Sequence, residues 1–197
     1  MCITEPIMKS LNAKLYKYSK TILTTKDLAL IWEETNKNNL KAKISYYVKK
    51  GVLVKIRRGI FSKDNHYDER ELASSMYLPS YISFETVLRD SGVIFQHYDS
   101  IFVACQWSKN IKIGDRTFIF RKLKDEILFN TSGIIFENNY SVATPERAFL
   151  DMIYLFPKYY FDNLEGINFE KCFEIAKIYK NGRMIKELNK YYKKYVK

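Results

Sequence analysis

Apolar residues recur along the chain at two periods, and the changes of period mark out its elements. Met8, Leu11, Leu15 and Tyr18 fall three and four apart with lysines between them, which predicts a helix over 8–19. Ile22-Leu23 is a short extended link. Thr24 is placed to cap a second helix, with Asp27 bringing negative charge to its first turn and Leu28, Ile31 and Trp32 facing the core. Asn36 to Asn39 read as a turn. A third helix is predicted from about Asn39 to Lys50, with Leu40, Ile44, Tyr47 and Val48 on one face and Gly51 as a left-handed C-cap. The period then drops to two. Val52, Val54 and Ile56 alternate with Leu53 and Lys55 as in a strand, Arg57-Arg58-Gly59 turns, and Ile60-Phe61 returns.

Beyond this the pattern predicts a connecting helix over 68–77, with Asp68 as cap and Glu71 in the reciprocal position, and Pro79 as a boundary. Tyr81-Ile82 is extended and leads to a helix capped by Ser83 and closed near Gly92. Strands are predicted at 101–107, 117–123, 133–137 and 140–143. Thr144-Pro145-Glu146 opens a helix in which Thr caps, Pro takes the first helical position and Glu meets the positive end of the dipole. Its apolar face is Ala148, Phe149, Met152 and Leu155, and Pro157 ends it. Two helices follow. The first starts at Asn168 and is apolar at Phe169, Cys172, Phe173 and Ala176; the last is apolar at Ile185, Leu188, Tyr192 and Tyr195.

The order helix, turn, basic helix, glycine, hairpin over residues 24–61 is the sequence form of a winged helix-turn-helix, so double-stranded DNA is the expected partner. The fold class expected is α+β: a winged helix-turn-helix domain over 1–66, a connecting helix over 67–79, and a mixed α/β domain with C-terminal helices over 80–197. The second helix of such a motif lies in the major groove with its N-terminal residues at base edges. Asn38 and Asn39 sit there, and an Asn amide pairs bidentately with adenine; the alternative is that both are turn and cap residues. Ser45, Tyr46 and Lys49 lie on the outward face, and Lys41 and Lys43 flank it as phosphate contacts or as a solvated face. Arg57 and Arg58 at the hairpin tip suit the minor groove or the flanking backbone, and Gly59 supplies a turn conformation.

Charge sharpens this division. The chain of 197 residues is 47% hydrophobic, 28% charged and +11 overall, which fits one or two compact domains. Residues 1–66 carry 14 Lys/Arg against 5 Asp/Glu, residues 67–157 carry 9 against 12, and residues 158–197 carry 10 against 5. A basic first third joined to a mildly acidic middle points to a polyanion partner for the first part. The basic face of the last helix, Lys186, Lys190, Lys193, Lys194 and Lys197, has three readings: solvated, an added phosphate-binding surface, or a contact for an acidic or RNA-bound partner. Cys2, Cys105 and Cys172 share no CxxC spacing, and His66 and His97 are isolated, so no disulfide framework, metal or cofactor is expected. No apolar run has the length of a membrane span or the form of a signal peptide, so the expected compartment is the cytoplasm.

Three local signatures resemble the AbiEi antitoxins of type IV toxin–antitoxin systems, linked to phage defence by abortive infection. They are a basic wing with a short aromatic strand, Lys55-Ile56-Arg57-Arg58-Gly59-Ile60-Phe61; the extended lead-in Tyr81-Ile82-Ser83-Phe84-Glu85-Thr86-Val87-Leu88; and the helix start Val142-Ala143-Thr144-Pro145-Glu146-Arg147-Ala148-Phe149-Leu150-Asp151. The resemblance spans about residues 24–155; the last 40 residues carry no family motif. It implies a non-catalytic transcriptional autorepressor that binds its own operon promoter through the winged helix. It also implies that the C-terminal domain counters a nucleotidyltransferase-like toxin. A stand-alone regulator with a ligand- or partner-sensing C-terminal domain is the alternative. Some proteins fuse a related winged domain to a nuclease. Glu85, Asp115, Glu137, Glu146 and Asp151 are the acids available for a metal-dependent site, but the strands IFVACQW and TFIFRKL lack the Glu-x-Lys or Gln-x-Lys pair that would follow such an acid.

Overall fold

The computed structural model describes residues 13–195 of the chain, a mixed α+β fold divided into two compact units between Met76 and Tyr77. Of the first helix expected from the sequence, residues 13–17 are helical and Leu15 is buried; Met8 and Leu11, like Cys2, lie outside the described residues.

The first unit continues with β1 (Ile22–Thr24), α1 (Thr25–Ile31), α2 (Lys37–Lys49), β2 (Val54–Arg57), β3 (Ile60–Ser62) and α3 (Glu69–Met76). Thr24 caps α1 in a reciprocal box: its hydroxyl accepts the Asp27 N–H, and Asp27 accepts the Thr24 N–H at 2.8 Å. Asn36, not Asn39, starts α2. Its side chain accepts the N–H groups of Asn38 and Asn39 at 2.9 and 3.1 Å, so the helix begins at Lys37, two residues earlier than expected. Leu40, Ile44 and Tyr47 of α2 meet Leu15, Leu23, Leu28, Trp32, Leu53 and Phe61 in one core, with the Trp32 and Tyr47 rings 4.9 Å apart. Gly51 follows α2 with φ +71°.

The hairpin corrects the expected register. Val52 and Leu53 both donate to the Tyr47 carbonyl, so the chain extends only from Val54, and Leu53 joins the core. A bulge between Lys55 and Arg57 then sets Arg57 opposite Ile60 and leaves Arg58-Gly59 as a two-residue turn. The three strands form an antiparallel sheet in the order β1-β3-β2. The helix expected as a connector belongs to this unit. Asp68 does cap α3, accepting from Arg70 and Glu71 N–H, but Glu71 does not reciprocate. Its carboxylate instead accepts the N–H and hydroxyl of Thr21, tying α3 to the start of β1.

The second unit is a six-stranded mixed sheet in the order β6-β7-β5-β4-β9-β8. Its strands are β4 (Ser80–Ile82), β5 (Ser100–Cys105), β6 (Lys109–Ile113), β7 (Arg116–Lys122), β8 (Ile134–Glu137) and β9 (Tyr140–Ala143). Its helices are α4 (Glu85–Asp90), α5 (Asp125–Leu128), α6 (Pro145–Leu155), α7 (Phe169–Ala176) and α8 (Gly182–Tyr195), with a 3-10 turn at Lys177–Tyr179. Thr144 caps α6 as expected, and Asn168, where the next helix was expected to start, caps α7. Ser83 caps nothing; its hydroxyl donates to Asp151, and α4 starts instead after Phe84 at φ +56°. The last helix buries Met184 and Leu188, while Tyr191 stacks against Phe149 and Phe161.

Candidate nucleic-acid interface

In the first unit α1, α2 and the β2–β3 hairpin enclose an open concavity of about 1240 Å³. Its mouth is basic. Lys26 comes from α1, Lys37, Lys41 and Lys49 from α2, Lys55 from β2 and Arg58 from the hairpin turn, and all six are exposed. Helical spacing explains the contribution of α2, since residues 37, 41, 45 and 49 recur every four positions and fall on one side. The hairpin is held beside α1 by the Thr25 N–H, which donates to the Gly59 carbonyl at 3.0 Å. Gly59 has φ +78°, a conformation that a residue with a Cβ adopts at a cost of about 1–2 kcal/mol.

Of the residues expected from sequence, Lys41, Ser45, Lys49 and Arg58 meet around this concavity. The others go elsewhere. Asn38 and Asn39 are exposed in the first turn of α2, not in the preceding turn, and their N–H groups are taken by Asn36. Lys43 is drawn to Glu34 at 2.7 Å, which compensates a charge expected to face phosphate. That bond holds the Glu34 carboxyl below the ordinary carboxylate range. Tyr46 lies edge-on to the buried Tyr47, with the Lys50 ammonium 5.8 Å from its ring centre. Arg57 ends β2 rather than sitting in the turn, and its guanidinium donates to the Met76 sulfur at 3.2 Å. Lys26, Lys37 and Lys55 are exposed positions of α1, α2 and β2, so the apolar pattern of those elements does not mark them. A four-residue step back from Lys41 would have found Lys37.

The acids of the second unit are dispersed or neutralised. Asp115 lies in the β6–β7 turn at one edge of the sheet and Glu137 on β8 at the other. Glu85 holds Arg121 through two bonds of 2.5 and 2.6 Å, with the guanidinium 4.6–5.0 Å from the rings of Phe84, Phe102 and Phe156. Asp151 is fully buried and accepts from Tyr81, Ser83, Tyr179 and Arg147. Arg147, also fully buried, donates further to the carbonyls of Ile127 and Ser132 at 2.7 and 2.8 Å. This satisfied network joins β4, α6, the 3-10 turn and the loop before β8, and burial drives the Tyr81 and Tyr179 phenols well above their ordinary value. Among the described residues no three His, Cys, Asp or Glu side chains gather as metal ligands, and no helix is long and apolar enough to cross a membrane. Cys105 and Cys172 are buried free thiols, both pushed up by desolvation.

Comparison with protein-family models finds none that matches the chain, and comparison with curated proteins finds no match either.

Proposed function

We propose that the first unit is a winged helix-turn-helix that binds double-stranded DNA, with α2 as the recognition helix and the β2–β3 hairpin as a short wing. The observation that carries this reading is the convergence of Lys41, Ser45, Lys49 and Arg58 on one basic concavity built by α1, α2 and the hairpin. The element order and the antiparallel β1-β3-β2 sheet support it. Lysine and arginine around such a mouth neutralise phosphates and release counterions, which supplies affinity without sequence information. Sequence is then read by α2, through Ser45 and the exposed amides of Asn38 and Asn39.

The second part of the proposal concerns the whole chain. Its resemblance to AbiEi antitoxins supports a cytoplasmic autorepressor of its own operon that counters a nucleotidyltransferase-like toxin through the second unit. The test is co-expression with the product of the adjacent gene. Restored growth, together with binding of the full chain to the duplex upstream of its operon, supports the proposal. Continued growth arrest despite soluble expression removes the antitoxin role and leaves the DNA-binding one.

A further inference from the structure

The concavity has a floor that phosphate binding does not use. Ala29 and Leu30 of α1, Ile44 and Val48 of α2 and Phe61 of β3 line it, and Leu30 is 74% exposed. Leu40 of α2 lines it too; Ala29 and Val48 are half-buried, and Leu40, Ile44 and Phe61 are the edge of the core beneath them, so six apolar residues from three elements meet at one opening. The walls are fixed at both ends. The Thr25–Gly59 bond joins α1 to the hairpin, and the Lys43–Glu34 pair joins α2 to the turn that follows α1. Both acids at the mouth, Glu33 and Glu34, are already paired, with Lys14 and Lys43, so the rim stays positive.

We propose that this concavity also docks an acidic amphipathic helix of a partner protein, with its apolar stripe on the floor and its carboxylates on the lysine rim, in competition with DNA. The competition rests on the DNA-binding reading; the docking does not. Lining residues run along α2 from Lys37 to Lys49, a rise of about 18 Å, which matches three turns of a partner helix with anchors at i, i+3 or i+4, and i+7. The volume exceeds the roughly 300–1,000 Å³ of small-molecule sites. A second copy of this chain fits poorly, because its longest described helix, α8, presents Lys186, Lys190, Lys193 and Lys194 outward and would meet like charge.

The test uses the full chain and a fluorescein-labelled 18-residue peptide with leucines at helical spacing and glutamates elsewhere. Two controls are a scrambled isomer and the same peptide with lysine for glutamate. The expected result is that both controls bind about tenfold more weakly or worse, that unlabelled peptide displaces a labelled duplex, and that Leu30→Ser weakens the peptide by about tenfold with little effect on the duplex. Leu30 is exposed, so this variant keeps the core intact. Equal binding of the scrambled peptide, insensitivity to Leu30→Ser, or simultaneous binding of peptide and duplex overturns the proposal. So does an equal loss of duplex binding in Leu30→Ser, or a wild-type dimer in sedimentation that this variant abolishes. A chain that binds the peptide but no duplex removes the DNA-binding reading and leaves the docking site.

Discussion

Arg57 and Arg58 are neighbours in sequence with different work to do. The bulge between Lys55 and Arg57 turns Arg57 toward the Met76 sulfur, while Arg58 stays exposed at the turn beside the basic concavity. Arg58→Ala should therefore weaken duplex binding and lower the salt dependence by about one ion, whereas Arg57→Ala should leave both nearly unchanged. Fluorescence anisotropy over a salt series separates the two, and equal losses would return Arg57 to the interface. Asp27 gives this unit a pH-dependent contribution to stability. Burial pulls its carboxyl upward, but bonds from the Thr24 hydroxyl and N–H and from Lys20 outweigh that and hold it below the ordinary carboxylate range. A depressed folded-state value gives stability that is complete above the unfolded value, near pH 4, and lost as pH falls through the folded one. Asp27→Asn should thus cost about 1 kcal/mol at pH 7 and progressively less below pH 4. Buried Trp32 reports the transition through its fluorescence in urea; an unchanged difference at pH 3 would contradict the assignment.

Element by element, legibility followed whether the signal was local. The Thr24, Asp68 and Thr144 caps were legible because a cap is chosen by its own few residues. The interior of α2 was legible because Leu40, Ile44 and Tyr47 keep a helical period, but its start was not, since Asn36 caps from outside that period. β6 escaped because Lys109, Asn110 and Lys112 point to solvent on an edge strand, which leaves no alternating buried face to detect. Ser83 and Glu71 misled for one reason: each sits where a local cap would, yet bonds to a distant partner, Asp151 or Thr21. Gly133 shows how tightly such long-range constraints bind. It has φ +73°, and a Cβ there would lie 2.8 Å from Arg147 Cβ and 2.9 Å from Ile175 Cδ1. Gly133→Ala should destabilise the second unit by about 2–4 kcal/mol, combining backbone strain with a clash at the buried Arg147. Urea denaturation followed by circular dichroism checks this, and a loss below about 1 kcal/mol would mean that the loop before β8 yields easily.

At the scale of the molecule, the basic surplus is concentrated in the first unit but not confined to it. Met1–Met76 carries 15 Lys/Arg against 8 Asp/Glu, and the longer Tyr77–Lys197 carries 18 against 14. If the two proposed roles belong to separate units, they should separate by mutation. Lys41→Ala, Lys49→Ala and Arg58→Ala together should relieve repression of a reporter while growth rescue persists, and joint loss of both would place antitoxicity in the first unit as well. The most direct test of the account is the salt dependence of binding between the full chain and the duplex upstream of its operon. For wild type, log affinity should fall linearly with log salt concentration. In the triple variant the slope should flatten by about 2–3, near 0.9 for each phosphate contact removed. An unchanged slope and affinity in the triple variant would contradict the assignment of this concavity to DNA.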